Sequence, residues 1–160
     1  MSNTAHKSAL IARAGFTLAE LMIVISMMSI VLAVAGPKIT ATMTQANVRS
    51  ASVEMARRIA MARQAAIRRG RVATFNMSTD RTKAWVNVTK SDGTTQLLAD
   101  TLFFDTKYGV TATAGVSQVS YDPRGFASLA ADQTFSVTKG SVTKSVCVTT
   151  AGFILPGCIL

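Results

Sequence analysis

Residues 16–36 read FTLAELMIVISMMSIVLAVAG, from Phe16 to Gly36, with one charged side chain, Glu20. At about 1.5 Å per residue a helix of this run reaches roughly 30 Å, the thickness of a bilayer core. It exceeds the roughly 7–15 apolar residues of a secretory signal, and the usual small-residue cleavage site after the apolar core is not obvious. Lys7 and Arg13 precede the run without an acid. The positive-inside rule therefore keeps residues 1–15 in the cytoplasm and sends the chain after Pro37 across the membrane. A carboxylate in an apolar layer costs several kcal/mol by insertion scales, so Glu20 needs a reason to be there. One reason is local: it lies near the start of the run and can reach the interface.

The rest of the chain is read outward from this anchor. Of the 160 residues 49% are apolar, and the excess is concentrated in the run. What remains suffices for one modest core. The net charge is +9, and removing Lys7 and Arg13 would leave +7. A basic surface favours headgroups, acidic proteins or nucleic acid, and charge alone does not choose among them.

Beyond Pro37, which is expected to kink the helix, good helix formers continue to Gly70. Val48, Met55, Ile59, Ala62 and Ala66 share a stripe at helical spacing and should pack on a sheet. Arg49, Arg57, Arg68 and Arg71 project mainly from the other side, flanked by Arg58, Arg63 and Arg69, with Glu54 the only acid. This face is solvated, or paired with acids of neighbouring chains, or it binds phosphate, for which arginine is suited. No aromatic residue interleaves with the arginines in sequence, so base stacking has no support there.

After Gly70 the pattern turns to period two. Strands are expected over 72–77, 83–89, 97–104 and 116–121, with turns at Ser91-Asp92-Gly93 and Asp122-Pro123-Arg124-Gly125. A hairpin over 135–138 and 142–149 turns at Lys139-Gly140, and 153–155 forms a last short strand. The expected fold class is α+β: a long N-terminal helix, half transmembrane and half amphipathic, packed on a C-terminal antiparallel β-sheet domain. Cys147 and Cys158 would close a loop of about ten residues in an oxidising compartment, with free thiols as the alternative.

The stretch Gly15-Phe16-Thr17-Leu18-Ala19-Glu20-Leu21-Met22 resembles the type IV prepilin signature. The family usually carries a larger aliphatic residue where Ala19 stands. The resemblance implies cleavage between Gly15 and Phe16 by a prepilin peptidase and methylation of the new Phe16 amine. It also implies that Glu20 pairs with the Phe16 amine of a neighbouring subunit in a filament. It divides the chain into a leader (1–15), an assembly helix (16–36), a basic amphipathic helix (37–70) and a periplasmic sheet domain (71–160).

The segment from Val116, with its Asp-Pro-Arg-Gly turn, hairpin and Cys-containing end, resembles the H-type minor pseudopilins of type II secretion and the FimT/FimU minor pilins. That likeness implies a minor subunit in the bacterial inner membrane, single-pass, with other pilins as partners. The DNA-binding members carry a Gly-Arg-x-Arg type motif in their tail. Here the stretch from Thr149 to Gly157 has no arginine, which weighs against DNA uptake. Arg57, Arg63, Arg68 and Arg71 remain the candidates for anion or DNA binding.

Catalysis is not expected. The only histidine, His6, lies in the leader, which rules out a Ser-His-Asp set in the processed chain. No Walker-type phosphate loop occurs. Asp80, Asp92, Asp100, Asp105, Asp122 and Asp132 are scattered, mostly beside turn residues. No cofactor and no metal are expected. A plain single-pass membrane protein that joins no filament is the remaining alternative.

Overall fold

The computed structural model describes residues 16–158. The chain divides after Thr40 into two compact units, the second being Ala41–Leu160. Helix α1, Leu18–Arg69, runs through the first unit and into the second, with a break between Ala33 and Lys38 where Pro37 stands.

Within the second unit α1 buries one stripe. Val48, Ala51, Met55, Ile59, Ala62 and Ala66 are all fully buried. Several members are alanines, which lets the helix backbone approach its partners closely. The helix ends in a Schellman motif. Gly70 takes a left-handed φ of 61°, its N–H meets the Ile67 carbonyl, and the Arg71 N–H meets the Ala66 carbonyl at 3.2 Å. The chain then turns directly into strand β1.

Two antiparallel sheets follow. The first has the order β3-β2-β1-β6 and comprises β1 (Ala73–Met77), β2 (Lys83–Thr89), β3 (Thr95–Leu97), β4 (Leu102–Phe103, also on β2) and β6 (Gln118–Tyr121). The second has the order β5-β7-β8-β9 and comprises β5 (Thr111–Ala114), β7 (Gln133–Lys139), β8 (Val142–Val148) and β9 (Ile154–Pro156). Alternate residues of each sheet face inward, as period two requires. Phe75 and Val86 from the first sheet and Phe135 and Val137 from the second are fully buried with the helix stripe in one core. The rings of Phe75 and Phe135 meet edge to face at 5.7 Å and join the two sheets.

This is the expected α+β architecture, with two sheets where a single sheet domain was foreseen. The strand expected over 97–104 is also different. β3 and β4 both pair with β2, but the outer strand loops out between Leu97 and Leu102 while β2 runs straight on. Phe104 then begins a short helix, α2 (Phe104–Tyr108), closed by Gly109 in the left-handed region. β5 was not foreseen. Its buried members are alanines, Ala112 and Ala114, which carry little strand signal.

Candidate functional site at the two ends of the long helix

The first end opens on Phe16, which is exposed; Gly15 lies outside the described residues. Thr17 and Glu20 form a reciprocal capping box. The Glu20 N–H donates to Thr17 Oγ1 at 3.2 Å, and the Thr17 N–H donates to Glu20 Oε2 at 3.0 Å. The Thr17 hydroxyl also donates to the same carboxylate at 3.1 Å. The reach to the interface and the pairing with another chain both leave this local role out, although Thr-x-x-Glu before an apolar run is the capping-box spacing. The carboxylate is thus held over free N–H groups at the helix start, where negative charge is favourable.

Every large apolar side chain described from Phe16 to Leu32 is exposed. The two serine hydroxyls in this segment are satisfied within the helix: Ser26 donates to the Met22 carbonyl at 2.7 Å and Ser29 to the Ile25 carbonyl at 2.8 Å. Among the described residues no single helix is long and apolar enough to cross a membrane. Leu18–Ala33 and Lys38–Arg69 meet that test only together.

At the second end the arginines separate into two groups. Arg57 is exposed, with a 3.9 Å pairing to Glu54, and Arg68 and Arg71 are exposed as well. Arg58 is turned inward, bonded to Glu54 at 3.1 Å and to the Asp100 carbonyl. Arg63 is half-buried and occupied with the fold itself. Its Nε donates to the Gly125 carbonyl at 3.0 Å, and its guanidinium lies 5.1 Å from the centre of the Phe153 ring. The structure therefore assigns Arg57, Arg68 and Arg71 to an open face and Arg63 to a tie between α1 and two distant loops.

The first of those loops is built on Asp122. Its Oδ1 accepts the N–H groups of Arg124 and Phe126, both at 2.9 Å, and its Oδ2 accepts Arg124 Nε at 3.0 Å. The Phe126 N–H, then the Arg124 bonds, hold this carboxyl below its usual pKa range. Behind the turn Tyr121 is fully buried, and its hydroxyl has no hydrogen-bond partner. Burial pushes that phenol well above its ordinary range.

The second loop joins β8 to β9. Thr149 closes it by bonding Gly152 and Phe153, and Asp132 accepts the Thr150 N–H at 2.9 Å. Cys147 and Cys158 form the expected disulfide, with a Cα–Cα distance of 5.6 Å. The apolar tail loop thus rests partly on the Asp122 turn, with Gly152 against the Gly125 carbonyl. Among the described residues no three metal-binding side chains converge.

A long helix with an apolar first half and a second half buried under antiparallel sheets, closed by a disulfide-fastened end, defines a pilin-like filament subunit. The description "Type II transport protein GspH" belongs to the family profile that matches residues 51–152. A second profile, the prokaryotic N-terminal methylation motif, matches residues 11–36. The chain belongs to the GspH family and is a structural subunit of the minor pilin and pseudopilin kind.

Solved structures agree on the fold. The type IV minor pilin FimU of Pseudomonas aeruginosa superposes with a TM-score of 0.56 at 16% identity, covering 69% of this chain and 88% of that one. The minor pseudopilin EpsH of the Vibrio cholerae type 2 secretion system gives 0.57 at 11% identity, covering 69% and 95%. No curated protein matches the sequence. Members of this family are structural rather than enzymatic.

Proposed function

We propose that this subunit is made as a precursor, cut between Gly15 and Phe16 by a prepilin peptidase, and methylated on the Phe16 amine. Residues 1–15 face the cytoplasm, residues 16–36 sit in the inner membrane, and the sheet domain stands in the periplasm. From there the subunit enters or primes a filament as a minor component, either a type II secretion pseudopilus or a type IV pilus. The observation that carries this reading is the pairing of the Thr17–Glu20 capping box with the methylation motif over residues 11–36.

The box gives Glu20 a definite position. Cleavage would place an ammonium one residue before Thr17. In an apolar layer a carboxylate is penalised until a cation of a neighbouring chain relieves it, so the Phe16 amine of the next subunit is its complement. Pro37, in the break of α1, would separate the membrane half from the domain half.

Intact mass of the protein from its native membrane tests the processing. A chain beginning at Phe16 with one added methyl is expected, and a chain retaining residues 1–15 overturns it. Glu20→Gln should leave cleavage intact and abolish filament entry. Normal entry would overturn the role given to Glu20 in assembly, and absence of the parent chain itself from filaments would leave the plain anchored reading.

A second reading is DNA binding for uptake. The open arginines favour it: Arg57, Arg68 and Arg71 are all exposed. The engagement of Arg63 with the fold and the arginine-free tail weigh against it. Replacing Arg57, Arg68 and Arg71 together should abolish DNA binding on this reading, and unchanged binding excludes it.

A further inference from the structure

Around the second end of α1 the fold gathers side chains far apart in the chain. Ile67 is 48% exposed, Phe126 53% and Phe153 57%. The Arg124 side chain is 79% exposed, and its guanidinium lies 5.7 Å from the centre of the Phe126 ring. Arg63 holds the same relation to Phe153 at 5.1 Å. These groups are contiguous. A Cβ on Gly125 would meet Ile67 and Arg63, and one on Gly152 would meet the Gly125 carbonyl and the Ala127 N–H. The absence of aromatic interleaving in the sequence is thus reversed in space, because two loops carry phenylalanines to the arginines.

We propose that this patch is a docking surface for a different, acid-bearing protein subunit. The choice of a fellow filament subunit rests on the filament reading above. Exposed aromatic rings beside arginines have the composition of interface hot spots, where a partner desolvates ring and guanidinium together.

Charge decides against a second copy of this chain. It has eight acids in all, and seven already accept internal hydrogen bonds. Glu20 serves the cap, Glu54 serves Arg58, Asp80, Asp92, Asp105 and Asp122 accept N–H groups within four residues of themselves, and Asp132 accepts the Thr150 N–H of the loop before β9. Two copies would bring like charge to like charge, so the complement is a chain richer in free carboxylates.

The patch is also ill-suited to nucleic acid. A guanidinium already lies over each ring, so a stacking base would compete with it. The aliphatic Ile67 offers nothing to a sugar-phosphate backbone, whereas it adds apolar area against a protein.

The test uses the full-length chain in detergent. The probes are the acid-rich pilin-like subunits encoded in the same genome, each purified, and a mixed-sequence DNA oligonucleotide. One subunit should bind, more weakly as salt rises. Phe126→Ala combined with Arg124→Glu, both at exposed positions, should weaken binding about tenfold or more. Phe153→Ala should do the same. An unchanged unfolding midpoint for the exposed pair shows that the loss is not misfolding.

Four results overturn the proposal: binding of no subunit, variants that bind as tightly as the parent, a response confined to the oligonucleotide, or a response confined to self-association. The Glu20→Gln chain keeps the two readings apart. It should bind the subunit normally yet fail to enter filaments, whereas the patch variant should be processed at Phe16 yet show the weakened binding.

Discussion

Gly152 meets Gly125 backbone to backbone: a Cβ on Gly152 would land on the Gly125 carbonyl oxygen. The same carbonyl accepts the Arg63 Nε, so one oxygen gathers the helix, the Asp122 turn and the loop before β9. Gly152 also holds φ at 83°, where a side chain is strained. Gly152→Ala should therefore destabilise the domain by about 2–4 kcal/mol, combining backbone strain with overpacking. Urea unfolding measures it, and an unchanged midpoint would contradict the packing described.

Tyr121 offers the opposite outcome. Its hydroxyl is buried without a partner, so Tyr121→Phe should raise stability by about 1 kcal/mol. The raised phenol pKa adds a pH signature. The folded state holds the neutral form, so this contribution is complete below the unfolded value near 10 and declines as pH rises above it. Thermal melts above pH 10 should fall more steeply for the parent than for Tyr121→Phe.

Carboxylates give the acid side. Asp122 is held low by the Phe126 N–H and the Arg124 contacts, Asp80 first by the Ser78 hydroxyl, and Asp92 first by the Thr94 hydroxyl. A depressed folded pKa contributes stability above the unfolded value near 4, which is lost as pH falls through the folded one. Asp122→Asn should flatten part of the acid limb of the melting curve below pH 4. It should also loosen the turn that carries Phe126. An acid limb identical to the parent's would mean the Asp122 bonds do not persist in solution.

Reduction of the disulfide should cost about 2–3 kcal/mol through loop-closure entropy. The bridge pins β9 beside β8, so amide exchange should quicken first over Ile154–Pro156. Cys147→Ser with Cys158→Ser should reproduce the effect without reductant. Equal stability of oxidised and reduced chains would show that β9 is held by its ladder alone.

How much of this was legible in the sequence follows the range of each interaction. Local patterns were readable: the stripe from Val48 to Ala66, the alternation of Lys83–Thr89, and the hairpin turning at Gly140. The Thr17–Glu20 box was legible too, since its spacing is a motif, but the carboxylate was read for its cost in an apolar layer, its reach to the interface and its pairing with a neighbouring chain, not for the cap. Signals carried by small or interrupted segments were not readable. β5 buries only alanines, and the loop-out between Leu97 and Leu102 depends on how two short strands share β2. Arg63 shows the limit most plainly. On a helical wheel it flanks a basic face, and only the return of residues 125 and 153 makes it a tie.

The buried stripe of α1 also settles how the domain would bear a load. A pull on the chain ahead of Ala41 enters the domain along its own helix. Val48, Met55, Ile59, Ala62 and Ala66 lie in file along that helix, so they resist sliding together rather than parting one by one. Arg63, clamped to the Gly125 carbonyl beyond most of the file, acts as a stop. Under such a load the strands hang from the helix and are spared the tension.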